Sequence, residues 1–97
     1  MGQVRWTAEA ELWLREIHDY IAHDNPAAAQ RTALGIYQKA ELLAQYPEIG
    51  YVYHPRSGQP VRILLYGHYR IAYRIRAGDQ VDILGVFHGA LDIHRYL

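Results

Sequence analysis

The chain of 97 residues contains no cysteine. Disulfide bonds, thiolate metal sites and a cysteine nucleophile are therefore excluded. The sequence also has no stretch near the roughly 20 apolar residues that cross a bilayer, and its first residues lack the basic segment and apolar run of a secretory signal. We expect a cytoplasmic protein that does not bind membranes.

Length and composition limit the number of domains. A chain of this size buries only about 60–65% of its unfolded surface, so we expect one domain over residues 1–97. With 51% hydrophobic and 21% charged residues, the composition is that of a folded globular protein. One site, or one shared surface, must therefore carry the function.

The formal net charge is zero, but acidic and basic residues are separated along the chain. Residues 1–48 have a net charge of −3 (four basic, seven acidic), and residues 79–97 have −2 (one basic, three acidic). Residues 49–78 have +5, from arginine alone: Arg56, Arg62, Arg70, Arg74 and Arg76. Because guanidinium groups bind carboxylates and phosphates in a bidentate geometry, this segment predicts a specific anionic partner. General coating of DNA is disfavoured, since the whole domain would then be basic.

Two helices are predicted in the first half of the chain. Residues 3–6 alternate as a short strand, and Thr7 is an N-cap for a helix over residues 7–23. Asn25 and Pro26 begin a second helix, and the prolines and glycines of residues 47–60 predict a loop. Apolar residues recur at steps of three and four, and their predicted buried positions are Ala10, Trp13, Leu14, Ile17, Tyr20 and Ile21, then Ala29, Ala33, Ile36, Ala40 and Leu43.

Three strand-like runs follow, over residues 61–66, 69–76 and 81–87, and the short turns between them predict an antiparallel meander. The middle run alternates tyrosine and isoleucine with arginine and alanine, so one face should pack on the helices while the other is open and basic. The last run is apolar on both faces, which predicts a central position. The fold class is therefore α+β, in the order β-α-α-β-β-β.

Several stretches of the chain resemble the ParE/RelE superfamily of toxins from type II toxin–antitoxin systems. The similarity extends over nearly the whole chain, and the ending is closer to the ParE branch. The stretches are Trp6-Thr7-Ala8-Glu9-Ala10-Glu11, Ile17-His18-Asp19-Tyr20-Ile21, Tyr46-Pro47-Glu48-Ile49-Gly50, Tyr69-Arg70-Ile71-Ala72-Tyr73-Arg74, and the segment from Val81 to Asp92.

This resemblance implies a growth-inhibiting, plasmid-stabilising toxin that forms a hetero-oligomer with a cognate antitoxin protein. In the ParE branch the usual target is DNA gyrase, which the toxin binds without any chemistry. In the RelE branch the toxin enters the ribosomal A site and cleaves mRNA. Since the fold is shared, site residues must separate the two activities.

Metal-independent RNA cleavage needs a general base, a general acid and cations around the phosphorane. The candidates are His88, Arg70 and Arg74, with His94 and Tyr96 in the tail. Some ribonuclease toxins of the superfamily have a catalytic histidine at the position of His88. In the simple alternation of its strand, His88 shares a face with Asp82, Leu84 and Val86.

Two observations favour a structural role for His88 over a catalytic one. A histidine at a strand end is more often a hydrogen-bonded structural residue. The chain also has a single lysine, Lys39, on a predicted helix, so the RelE-type nuclease set is poorly matched.

Binding residues are expected on the basic sheet face, in the loop and in the tail, although a solvated sheet face is an alternative explanation for the arginines. Tyr69 and Tyr73 are expected to fill the core, whereas Tyr51 and Tyr53 flank the loop and can stack on a partner. The predicted antitoxin-binding or target-binding residues are Arg56, Arg62, Arg70, Arg74, Arg76, Tyr51, Tyr53, Asp92, His94, Arg95 and Tyr96.

The six histidines do not form a metal motif. His18 and His23 are five residues apart on one predicted helix and lack the four-residue spacing of a ligand pair. We therefore expect no metal site and no cofactor.

Overall fold

The computed structural model describes residues 2–56 and 58–97. Two helices and five strands follow one another along the chain, with short 3₁₀ turns after α2, before β5 and near the C-terminus. Their bounds are β1 (Val4–Trp6), α1 (Ala8–Ala22), α2 (Pro26–Glu41), β2 (Tyr51–Tyr53), β3 (Val61–Tyr66), β4 (Tyr69–Ile75) and β5 (Val81–His88). The predicted α+β fold class is confirmed.

Both helices begin at the predicted caps. The Thr7 hydroxyl accepts a hydrogen bond from the Ala10 amide, and the Asn25 side chain accepts one from Ala28. Each bond satisfies one of the free N–H groups of a first helical turn. The prediction of a buried Tyr20 is wrong, because 83% of this side chain is exposed near the end of α1.

The sheet has the strand order β1-β5-β4-β3-β2. β1 is parallel to β5, and all other neighbours are antiparallel. The prediction of a loop over residues 47–60 is wrong at β2, which pairs with β3 from Tyr51↔Ile63 to Tyr53↔Val61. A strand of three residues between proline and glycine is too short to show a periodic pattern, so its main-chain pairing with β3 defines it.

A bulge interrupts the alternation of β5. Ala72 pairs with Gly85 and Tyr73 pairs with Ile83, so Leu84 is an extra residue in β5. The side chains before and after this residue therefore change faces relative to a regular strand. The prediction that His88 shares a face with Asp82 and Leu84 is wrong for this reason.

Two clusters of buried side chains lie on the two faces of the sheet. The first lies under the helices and joins α1 and α2 to Leu64, Ile71, Tyr73 and Val86. On the other face a second cluster contains Val61, Ile63, Ala72 and Phe87, and it is covered by the C-terminal segment through Ile93.

The alternation of β4 predicted that the second sheet face is open and basic. This prediction is wrong, because the C-terminal segment covers that face. Ala72, which lies between two of the arginines, is completely buried, and Ile93 is only 5% exposed. The alternation gave the correct face for each β4 residue. It could not show that residues 91–97 return to cover one of these faces.

Within residues 2–56 and 58–97, no helix is long and apolar enough to cross a membrane. The same residues bring together no group of three or more histidine, aspartate or glutamate side chains that could hold a metal ion.

Candidate functional site

His88 lies at the end of β5, on the face of the sheet that carries the helices. Its ring is 5.5 Å from that of Tyr69, edge to face, and 6.2 Å from that of His68 in a stacked arrangement. The Ala90 amide donates a hydrogen bond of 3.0 Å to His88 Nδ1. Because Nδ1 accepts this bond, the proton of the neutral imidazole is on Nε2.

The candidate catalytic residues are not brought together. Arg70 and Arg74 alternate with Tyr69, Ile71 and Tyr73 and so leave the face opposite to His88. Arg70 contacts His88 at its main-chain carbonyl oxygen, at 3.5 Å. Arg70 and Arg74 are themselves four residues apart on a strand, or about 13 Å. No single phosphate could be held between all three side chains in this arrangement.

Arg70 is instead an anchor for the C-terminal tail. Its guanidinium donates a hydrogen bond of 2.7 Å to the carbonyl oxygen of Leu91. The Nε atoms of Arg70 and Arg74 are both buried and have no hydrogen-bond partner among the described residues. The predicted role of Arg70 in partner binding therefore competes with a role inside the fold.

Arg76 contributes to an ionic cluster around the buried Asp82. Arg5 donates to both carboxylate oxygens, Gln80 donates at 3.2 Å, and Arg76 Nε lies 3.4 Å from Oδ2. Burial raises the pKa of Asp82, but the hydrogen bonds from Arg5 and Gln80 and the two guanidinium charges outweigh it, so the pKa is lowered. Sequence reasoning missed Arg5 as a partner of Asp82, because the parallel pairing of β1 with β5 has no local signal.

Arg62 holds the segment before β2 in place. Its NH1 group donates to the carbonyl oxygens of Glu48 and Gly50, at 3.0 and 2.8 Å. The buried Tyr73 hydroxyl accepts a bond from the Gly50 amide and donates one to the Pro47 carbonyl. Burial raises the pKa of Tyr73, and the hydrogen bond with Gly50 and the Arg62 charge only partly oppose this effect, so the hydroxyl stays protonated.

The tail packs on the second cluster through Leu91, Ile93 and Leu97. The predicted contact residues of the tail, Asp92, His94, Arg95 and Tyr96, are exposed. Asp92 caps the last 3₁₀ turn by accepting from the His94 amide, and His94 Nδ1 lies 2.6 Å from the Tyr53 hydroxyl. The Tyr96 ring lies 5.0 Å from Trp13 and 5.7 Å from Phe87. The tail is therefore part of the folded domain, and Arg95 is left exposed on its surface.

Three predicted contact residues are exposed and form no side-chain hydrogen bond or ion pair with a described residue. Tyr51 is 50% exposed, and Arg56 and Arg95 are also exposed. Arg56 makes no ion pair with any described residue. These side chains are free to meet a partner without any rearrangement of the fold.

A cleft that sequence reasoning did not identify runs between α1 and the end of β5. Its volume is about 600 Å³, and most of its lining is apolar. The exposed ring of Tyr20 lines this cleft, and so does His88. The lining residues are Trp13, Glu16, Ile17, Tyr20, Ile21, Tyr69, Val86, His88 and Leu91. Most of them were predicted to be buried in the core, and the depth of the cleft could only be seen once α1 was placed on the sheet.

Comparison with known proteins identifies similar sequences. A family model described as the ParE toxin of the type II toxin–antitoxin system parDE matches residues 4–93. The toxin RelE2 of Caulobacter vibrioides is 50% identical over 50 residues, which span 52% of this chain and 57% of that toxin. The protein Y4kP of Sinorhizobium fredii is 38% identical over 88 residues, which span 89% of this chain and 86% of that protein.

Similar solved structures come from two toxin–antitoxin systems. A chain of the chromosomal ParDE system of P. aeruginosa matches with a TM-score of 0.72 and 25% identity, over 91% of this chain and 96% of that chain. A chain of the RelBE2 complex of Mycobacterium tuberculosis matches with a TM-score of 0.54 and 28% identity, over 89% of this chain and 95% of that chain.

Proposed function

The chain belongs to the ParE toxin family of type II toxin–antitoxin systems, and from this premise we propose that it inhibits growth by binding DNA gyrase and is neutralised by a cognate antitoxin. The gyrase target is the one that its ParE-like ending implies. The match of the ParE family model to residues 4–93 supports the same branch. The fold is also closer to the ParDE chain than to the RelBE2 chain, with TM-scores of 0.72 and 0.54, whereas their identities of 25% and 28% do not separate the branches.

The separation of His88 from Arg70 and Arg74 carries the argument against chemistry by the toxin. A ribonuclease needs its base, acid and cations around one phosphate. The bulge at Leu84 directs His88 toward the helices, while the arginine side chains leave the opposite face. An inhibitor that acts by binding requires no such convergence.

The tautomer of His88 supports the same conclusion. With Nδ1 occupied by the Ala90 amide, the neutral ring carries its proton on Nε2 and offers a donor. A general base would need Nε2 free of its proton. In this conformation Nε2 is arranged to donate to a ligand and not to accept a proton from a 2′-hydroxyl group.

We place the antitoxin in the cleft between α1 and β5. An amphipathic segment can seat its apolar side chains against Ile17, Tyr20 and Val86, since a large exposed aromatic ring at an apolar cleft is typical of a binding hot spot. Exposed arginines such as Arg95 remain available to acidic residues of the antitoxin. Arg62, Arg70 and Arg76 are engaged within the fold and contribute less.

The experiment is to express the chain alone from an inducible promoter, and to measure gyrase–DNA cleavage complexes and mRNA 5′ ends in the same culture. His88→Ala is expressed in parallel, with His23→Ala as a matched control for an exposed histidine at the end of α1. We expect trapped gyrase, intact mRNA and equal toxicity of all three proteins.

A ribosome-dependent endoribonuclease is the second candidate, favoured by the stacked rings of His68 and His88 at the end of the sheet. New codon-phased mRNA ends that disappear only in His88→Ala would establish it and overturn the gyrase proposal. Normal growth with neither signal would leave a protein that has the fold and the antitoxin surface but no toxicity.

A further inference from the structure

A short joint, residues 88–91, connects β5 to the C-terminal tail, and main-chain amides hold it in place. The Gly89 amide donates a hydrogen bond of 2.6 Å to the carbonyl oxygen of His68, and the Leu91 amide donates one of 2.9 Å to that of His88. The amide between them, that of Ala90, donates to His88 Nδ1 at 3.0 Å. Ala90 is therefore the one amide of residues 89–91 whose acceptor is a titratable side chain.

We propose that this joint responds to pH, and that protonation of His88 releases the Ala90 amide and loosens the tail. A neutral imidazole can accept at Nδ1 when its proton is on Nε2, whereas a protonated imidazole donates at both nitrogens. Nδ1–H and the Ala90 N–H would then meet as two donors. Histidine side chains ordinarily change their charge between pH 5 and pH 8. The bond should therefore be present at pH 8 and lost at pH 5.

The effect reaches the tail because the joint determines where the tail begins. The Arg70 guanidinium binds the carbonyl oxygen of Leu91 at 2.7 Å, directly after the joint. Ile93 is the one buried side chain of residues 89–97, and the amides of Tyr96 and Leu97 both donate to its carbonyl oxygen. A segment with so little buried surface opens locally at a low cost in free energy. The loss of one hydrogen bond at its start should therefore increase how often it opens.

The neighbours of His88 do not compensate for this loss. The His68 ring stacks on His88 at 6.2 Å, so two positive charges stand side by side once both rings are protonated. The Arg70 guanidinium lies 3.5 Å from the His88 carbonyl oxygen, and Glu16 of α1 is the one carboxylate that lines the same cleft. The titratable and charged groups around the ring, on α1, on the β3–β4 turn and on β4, are Glu16, Tyr20, His68, Tyr69 and Arg70.

The inference goes beyond the proposed function, because it concerns how the tail is held and not what the toxin binds. It also differs from a catalytic role for His88. A catalytic base must reach a substrate, whereas here the ring acts on its own main chain two residues further on.

The test compares the native chain with two variants that fix the joint in opposite states. An asparagine side chain accepts a hydrogen bond from the amide two residues later in an Asx turn. His88→Asn should therefore hold the Ala90 amide at every pH, because its acceptor does not titrate. His88→Ala has no acceptor at any pH. The native chain should behave like His88→Asn at pH 8 and like His88→Ala at pH 5.

Hydrogen exchange followed by NMR measures this difference at the amides of Ala90, Tyr96 and Leu97. Proteins are compared at the same pH, so that the intrinsic dependence of exchange on pH cancels. At pH 5 these amides of the native chain should exchange about five-fold faster than those of His88→Asn, and at pH 8 the two proteins should agree. The Ile71 amide, on a central strand, is the internal reference for global unfolding and should not differ.

Two further measurements isolate the ring. Long-range ¹H–¹⁵N spectra of the imidazole should show the proton on Nε2 at pH 8, and the Ala90 amide shift should follow the protonation of the same ring. His68→Gln should leave this coupling intact, since the bond to Ala90 remains, but should reduce the five-fold effect. His23→Asn replaces an exposed histidine at the end of α1 and should change neither readout.

A neutral His88 ring with its proton on Nδ1 would overturn the proposal. So would a native chain whose exchange rates match those of His88→Asn at pH 5. A difference at Ala90 without one at Tyr96 and Leu97 would confine the effect to the joint and overturn the loosening of the tail. An equal difference at Ile71 would assign the change to global unfolding instead.

Discussion

Arg5 and Asp82 are 77 residues apart in sequence and form a two-pronged ion pair between the first and last strands, with contacts of 3.2 and 3.1 Å. They also lie opposite each other in the parallel register of β1 and β5. The carboxylate is 4% exposed whereas the Arg5 side chain is 61% exposed. The buried member of the pair therefore depends on its partners more than the exposed one does.

The first prediction concerns the pH dependence of this cluster. Replacing Asp82 by Asn should lower the free energy of unfolding by about 1–2 kcal/mol at neutral pH, because it removes hydrogen bonds to a charged group while the guanidinium groups can return to water. The folded-state pKa of Asp82 is lowered. Its stabilisation is therefore fully present above the ordinary carboxyl pKa of about 3.9 and is lost as pH falls through the folded value.

Urea unfolding of the native chain and Asp82→Asn at pH 7 and below pH 4 measures this difference. The difference in the free energy of unfolding between the two proteins should be smaller at the lower pH. Asp24→Asn, at an exposed position after α1, is the control and should show no gap at either pH. A gap that stays constant with pH would mean that the Asp82 carboxylate does not supply the stabilisation.

The second prediction concerns the hydroxyl of Tyr73. Tyr73→Phe keeps the buried ring but leaves the Gly50 amide and the Pro47 carbonyl without their partner. Leaving a buried polar group unsatisfied costs about 1–3 kcal/mol. Urea unfolding should show a loss of this size for Tyr73→Phe and almost none for Tyr51→Phe, since Tyr51 is half exposed. Equal losses in both proteins would contradict this role.

Sequence patterns sufficed for the elements that are long or sharply bounded. Thr7 and Asn25-Pro26 mark helix starts by local capping, which depends only on near neighbours. The alternation around Ile71 and Tyr73 identified the face of β4 that packs on the helices. β2 was missed because a strand of three residues is held mainly by its neighbour, and neither composition nor periodicity records that pairing.

The arrangement of the site was harder to predict than the fold. A single extra residue, Leu84, changes the face of His88, and nothing in an apolar run distinguishes a bulged strand from a regular one. The coverage of Ala72 by Ile93 is also a contact between distant parts of the chain. Because this coverage has no local signal, Arg70 was predicted to lie on an open surface. Its guanidinium instead donates a hydrogen bond to the carbonyl oxygen of Leu91 in the tail.

The third prediction separates structural and binding roles of the C-terminal tail. Ile93→Ala should lower the free energy of unfolding by about 2–4 kcal/mol, because the side chain is 95% buried in the second cluster. Arg95→Ala removes an exposed side chain and should leave stability unchanged. Thermal unfolding of both proteins checks this pair.

Growth assays of the same two variants then show how the tail contributes to toxicity. If Ile93→Ala loses toxicity and Arg95→Ala keeps it, the tail acts by holding the domain together. Loss of toxicity in a fully stable Arg95→Ala would assign this side chain to the target interface.

The last prediction concerns the antitoxin cleft, and it uses two exposed apolar residues of the same helix. Tyr20 lines the cleft and is 83% exposed, so Tyr20→Ala should not change the unfolding midpoint. If the antitoxin covers this ring, affinity measured by calorimetry should fall at least ten-fold, since buried aromatic anchors dominate interface energies. Leu12→Ala removes an apolar side chain that is 54% exposed on α1 but lies outside the cleft. The affinity of this variant for the antitoxin should match that of the native chain. Equal affinity of Tyr20→Ala and the native chain would exclude the cleft as the antitoxin site and direct attention to the exposed Arg56 and Tyr51 instead.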